Sequence, residues 1–285
     1  MHQPTSSPTA SAISFKRLAH AACLFATVAT LTACGGGGGT DTAAPPPVGG
    51  TPTPPPAPTP PPPPVSGNFT VSGRATFASV PAAANGGLNY SGTSFKPVRG
   101  ATVQLIDGSG NVLATTQSNA AGSYSFGLAS AQSMRVRVRA ELVATNHDFK
   151  VRDNTSGDAL YVMDSAVFTP TTATTTIDVA APSGWGGSSY TGPRVAGPFA
   201  ILDVAYAAKE KVFASSPSTN LPALSLYWSP NNRPAQGQLA AGNIGTSFFT
   251  VNGTAASLYL LGAENTDSDE YDMPVVAHEI GHYMQ

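Results

Sequence analysis

Five consecutive residues hold the clearest chemistry in the sequence: His278-Glu279-Ile280-Gly281-His282. On an α-helix, positions i and i+4 lie one above the other on one face. Two imidazoles at that spacing can reach one zinc ion at about 2.0–2.1 Å. Glu279 projects about 100° further around the helix, beside such an ion rather than onto it. A carboxylate there can take a proton from a zinc-activated water and pass it to a leaving amine, which is the chemistry of peptide-bond hydrolysis. The spacing nominates His278 and His282 as metal ligands, Zn2+ as cofactor, Glu279 as general base and a protein or peptide as substrate. The plainer alternative is a surface helix with two incidental histidines. Beyond residue 33 the only other histidine is His147, which reads as a loop residue rather than a ligand.

Two histidines leave a catalytic zinc one protein ligand short. The acids Glu264, Asp267, Asp269, Glu270 and Asp272 stand just upstream. Asp272 before Met273-Pro274 reads as a helix N-cap, and acids near a helix start favour its dipole. A calcium loop over residues 265–270 would lack the glycine at position six and the terminal bidentate Glu. The sequence stops three residues after His282, inside the expected helix. The expectation is therefore an N-terminal fragment that lacks the third ligand and is inactive alone.

These residues need a scaffold. Gly197-Pro198 opens a helix, since Pro is tolerated in the first turn, and Ser216-Pro217 closes it. Ile201, Ala205, Ala208 and Val212 share one face at helical spacing. Short strands are expected at residues 224–228, 246–251 and 257–261. The last is either a sheet edge that pairs with an extended substrate or an ordinary core strand. Val275, Val276, Ala277 and Ile280 suit a helix packed under that sheet. Tyr283 is either an oxyanion donor or a packing residue.

Upstream the period changes to two. Phe69, Val71, Gly73, Ala75 and Phe77 alternate with polar residues, and so do Val136, Val138, Ala140 and Leu142 with Arg135, Arg137, Arg139 and Glu141. With strands at residues 101–105, 112–117, 124–128, 160–163 and 174–179, this predicts an all-antiparallel β-sandwich of about seven strands. The arginine stripe is either a solvated face or a site for anionic glycans.

Ahead of the sandwich, 13 of the 26 prolines fall at residues 45–64 and five glycines at residues 35–39. Such a stretch cannot bury enough apolar surface to fold, so it reads as a disordered tether, in part extended polyproline II. Residues 1–17 contain no acid and end in Lys16-Arg17, and the apolar run of residues 18–31 is too short to span a bilayer. Beyond residue 34 there are 12 basic and 16 acidic side chains, which is no footprint for nucleic acid. No G-x-S-x-G occurs, which argues against a serine hydrolase.

Three resemblances follow from these residues. Leu31-Thr32-Ala33-Cys34 resembles the bacterial lipoprotein processing box, which implies lipidation of Cys34, attachment to a membrane, and a location in the cell envelope, at the outer membrane or cell surface. Residues 100–126, with Gly122 before Tyr124-Ser125-Phe126, are similar to the carboxypeptidase-regulatory-like, transthyretin-like domain family. Residues 198–285 resemble the zincin peptidases. Gln285 stands where a metzincin has glycine, so the resemblance leans to the gluzincins, whose third ligand is a Glu on a later helix. The expected order is a signal peptide (1–33), a Gly/Pro linker (34–66), an all-β transthyretin-like sandwich (67–182) and the N-terminal α+β half of a zincin domain (183–285). The rival expectation is a non-catalytic surface lipoprotein whose sandwich binds protein or glycan.

Overall fold

A computed structural model of the chain describes residues 68–84 and 86–285. The expected signal peptide, Cys34 and the linker of residues 34–66 lie outside the described residues. What is described is mostly β-sheet with two α-helices. In chain order the strands are β1 (Phe69–Ser79), β2 (Ser94–Pro97), β3 (Thr102–Asp107), β4 (Val112–Gln117), β5 (Ser123–Leu128) and β6 (Met134–Arg139). Then come β7 (Glu141–Ala144), β8 (His147–Asp153), β9 (Ala159–Leu160), β10 (Val162–Asp164), β11 (Thr174–Thr176) and β12 (Val179–Ala181). The remainder is α1 (Ala196–Ser215), β13 (Leu224–Trp228), β14 (Phe248–Asn252), β15 (Ala255–Leu260), β16 (Gly262–Ala263), β17 (Asp267–Ser268) and α2 (Met273–Tyr283).

The first sheet is built around β1, which pairs with β2, β5, β11 and β12. Its alternation buries Val71, Ala75 and Phe77, and β5 adds Tyr124 and Phe126. Gly122 enters β5 at φ 77°, the left-handed region that favours glycine, as the turn before the aromatic strand requires. The second sheet runs β10-β6-β3-β4 and buries Val103, Leu105, Val136 and Val138.

The expectation of wholly antiparallel pairing needs correction. β11 and β12 both run parallel to β1. The chain reaches them only after β10 has joined the second sheet, so it returns to β1 by a crossover and not by a hairpin.

The third sheet has the order β14-β15-β13-β8-β7, with β9 beside β8. β13 is parallel to both β8 and β15, and β14 is an antiparallel edge strand. Phe149, Val151, Leu224, Leu226, Trp228, Leu258 and Leu260 are buried. α1 packs on β8, and α2 packs on α1, β14 and β15. β7 and β8 precede residue 183 yet share this sheet with β13, so hydrogen bonding runs across the expected boundary between the two folded parts.

The joint lies at Ala140 and Tyr161. Ala140 N–H donates to the Tyr161 carbonyl, and the Ala140 carbonyl accepts from Val151 N–H. The run of residues 135–142 therefore divides into β6 in the second sheet and β7 in the third. Its alternation is unbroken because Val136, Val138, Ala140 and Leu142 are all fully buried. Residues 160–163 divide at Tyr161 in the same way, into β9 and β10.

Of the two readings of residues 257–261, the structure takes the core strand. β15 lies between β13 and β14, so it is an interior strand and β14 is the edge. A strand with both neighbours paired offers no free backbone to a substrate.

Candidate functional site

α2 begins as its residue types dictate. The Asp272 side chain accepts from Val275 N–H at 3.2 Å, and Pro274 occupies the first turn. Val276 is 0% and Ile280 1% exposed; one turn apart, they fasten one face of α2 to the core. Positions 278 and 282 each follow an anchor by two residues, about 200° around the helix. Their side chains are accordingly exposed, as is Ala277, while Glu279 is half-buried between the two faces.

The two imidazoles converge. Nε2 of His278 and Nε2 of His282 are 3.2 Å apart, with ring planes at 90°. Two nitrogens bonded to one tetrahedral zinc stand about 3.3–3.4 Å apart by the usual bond length. Without an ion, a contact this short requires one ring to donate N–H to the other. The donor pair thus fits a zinc ion. Among the described residues, no group of three or more His, Cys, Asp or Glu side chains is placed to hold a metal. His147 is no part of such a group: its Nδ1 bonds Asn146 Oδ1 at 2.8 Å and its ring packs on Phe149 and Phe213. It lies on β8 and not in a loop. Burial, and next the charge of Lys209, hold its imidazole below the ordinary range.

Tyr283 is a packing residue. Its ring meets Phe149 and Phe249 edge-on, and its hydroxyl donates to the Pro222 carbonyl at 2.6 Å. Burial pushes that hydroxyl up to about 12.

The acidic stretch before α2 has divided tasks. Residues 262–268 form the hairpin β16–β17. Asp269 is buried and accepts from the Ser247 hydroxyl, which itself accepts from Leu261 N–H at 2.9 Å. This ties the approach to the edge strand β14 to the approach to α2. Burial pushes the Asp269 carboxyl up to about 6; the Ser247 bond opposes that shift, and Asp267, Asp272 and Glu270 add to it. Glu270 has a side chain 0% exposed and pairs with Arg194, whose guanidinium also donates to the Gly262 carbonyl. Gly197 of α1 makes room for this pair: a Cβ there would stand 3.0 Å from Trp228 and 3.2 Å from Glu270. Sequence reasoning passed over Arg194 and read Glu270 only as one of the acids before the helix start. A lone arginine before the Gly197-Pro198 helix start was the only signal.

Each arginine of the β6 stripe has an acidic partner on a neighbouring strand, three arginines sharing two carboxylates. Arg135 and Arg137 pair with Asp164, and Arg139 pairs with Glu141. Comparison with protein-family models finds no match, and comparison with curated proteins finds none either.

Proposed function

We propose that this chain carries part of a zinc-dependent peptidase centre, with His278 and His282 as two of the metal ligands and Glu279 as general base. The observation that carries the proposal is the 3.2 Å convergence of the two Nε2 atoms on the exposed face of a capped, core-anchored helix. Zinc held there supplies Lewis acidity, which polarises a peptide carbonyl and brings the pKa of water near neutrality. The two imidazoles are neutral when they ligate, each with Nε2 as donor. Glu279, on the same helix and half-buried, takes the proton of the attacking water and delivers it to the departing amine. Among the described residues β14 is an unpaired antiparallel edge beside α2, where an extended peptide can align its backbone. The parallel β8–β13–β15 core with α1 and α2 against it supports the reading of this region as zincin-like, and the two sheets around β1 and β3 support a transthyretin-like module before it.

The proposal takes the third protein ligand from outside the described residues, since none among them joins the histidine pair. That same observation favours the second reading, a surface module without catalysis. At the other end, Leu31-Thr32-Ala33-Cys34 supports a lipid anchor on Cys34 and a place in the bacterial envelope. The deciding experiment uses a version with the complete ligand set. Glu279→Gln should keep its zinc and lose peptide hydrolysis by at least about a hundredfold, the usual size of a general-base contribution. Hydrolysis that survives the substitution refutes the assigned role.

A further inference from the structure

A cavity of about 940 Å³ lies at the start of α2, away from the histidine face; its lining reaches Met273 and Pro274 but neither His278 nor His282. One wall is aromatic. Tyr90 and Trp185 stack at 3.8 Å with planes 6° apart, and Tyr190 meets both rings edge-on. The Tyr90 and Tyr190 hydroxyls bond each other at 2.6 Å, and Tyr190 N–H donates to Glu264 at 3.1 Å. The rest of the lining carries six carboxylates, of Asp203, Glu264, Asp267, Asp269, Glu270 and Asp272, against one base, Lys96. Arg99 matches Asp203 and Arg194 matches Glu270. Even with Lys96 counted against another, three carboxylates have no basic partner among the described residues. Tyr271, also in the wall, is 8% exposed and its hydroxyl has no partner.

The ligand these walls suit is distinguishable by chemistry. A divalent metal needs three or more oxygen ligands converging at about 2.0–2.6 Å. Among the described residues, no three Asp, Glu, His or Cys side chains are grouped to supply them. Carboxylates spread around a roomy cavity beside stacked aromatic rings instead suit an organic cation, which is attracted by both the charge and the ring faces. The volume is that of a small-molecule or side-chain pocket. Burial is the main cause of the raised Asp269 carboxyl, and the neighbouring charges of Asp267, Asp272 and Glu270 add to it.

We infer that this cavity binds a guanidinium or ammonium group, as a free organic cation or as an Arg or Lys side chain of a peptide. The site stands independently of the metal centre, because it shares no residue with the histidine pair. The test is calorimetric titration of the full chain with acetyl-arginine amide, and with acetyl-citrulline amide as the neutral isostere. The arginine probe should bind and the citrulline probe should not. The double variant Glu264→Gln with Asp267→Asn keeps the acceptor for Tyr190 N–H and removes two charges; it should weaken the arginine probe by about fivefold or more. Trp185→Ala, removing the stacked wall, should weaken it comparably. Circular dichroism of each variant confirms that it is folded. An acetyl-lysine methylamide arm, whose side-chain amine is free, separates a general cation site from a guanidinium-specific one; binding of either cation supports the assignment. Equal binding of the arginine and citrulline probes, no binding of either the arginine or the lysine probe, or calcium binding in their place overturns the assignment.

Discussion

Arg194→Met tests whether the buried pair with Glu270 organises the approach to α2. Arg194 is 5% and Glu270 0% exposed at the side chain, so neither partner finds water when the other is removed. In the variant Glu270 cannot stay ionised without a partner, and burial already pushes its carboxyl up while Arg194 holds it down. It protonates instead. Protonating a carboxyl of ordinary pKa about 4.3 costs about 4 kcal/mol at pH 7 and about 1 kcal/mol at pH 5. The bond from Arg194 to the Gly262 carbonyl is lost at either pH, a further ~1 kcal/mol. The sum, about 5 kcal/mol at neutral pH, matches the usual cost of breaking a buried pair on one side. The sign of the pH effect follows from linkage. The folded variant keeps a proton that the unfolded chain gives up above about pH 4.3, so its stability falls as pH rises. Urea denaturation followed by tryptophan fluorescence reads this directly, because Trp228 packs beside Arg194. The expected loss is about 5 kcal/mol at pH 7 and about 2 kcal/mol at pH 5. A loss below ~1 kcal/mol, or an equal loss at both pH values, refutes the reasoning.

Asp272→Ala removes the N-cap of α2 and should cost about 1 kcal/mol in thermal or chemical denaturation. Tyr283→Phe removes the hydroxyl bonded to the Pro222 carbonyl and keeps the ring contacts; it should cost ~1 kcal/mol in stability and leave zinc binding unchanged.

The local parts of this fold were legible because they depend on neighbours in sequence. The N-cap Asp272, the Pro at the start of α2, the close of α1 at Ser216 and the strand at residues 224–228 follow from capping, φ restriction and alternation. The pairing of the sheets was not. β8 was not among the expected strands, although Phe149 and Val151 alternate with charged residues, and nothing local says that it joins β13 beyond α1. The alternation of residues 135–142 hides the change of sheet at Ala140, because the buried side continues through the joint. The edge position of β14 likewise depends on order across the sheet and not on composition. In the candidate site, the i, i+4 spacing announced the histidine pair. Arg194–Glu270 and Ser247–Asp269 are separated by 76 and 22 residues, and only tertiary structure brings them together.

The central claim is that His278 and His282 hold one zinc ion between their Nε2 atoms. Titration of the full chain with zinc, followed through the histidine ring nitrogens by NMR, tests it most directly. The account predicts that Nε2 of both residues shifts together on one equivalent of zinc while His147 does not, and that His278→Ala abolishes the response of His282. Zinc that leaves both rings unmoved, or a His282 response that persists without His278, contradicts it.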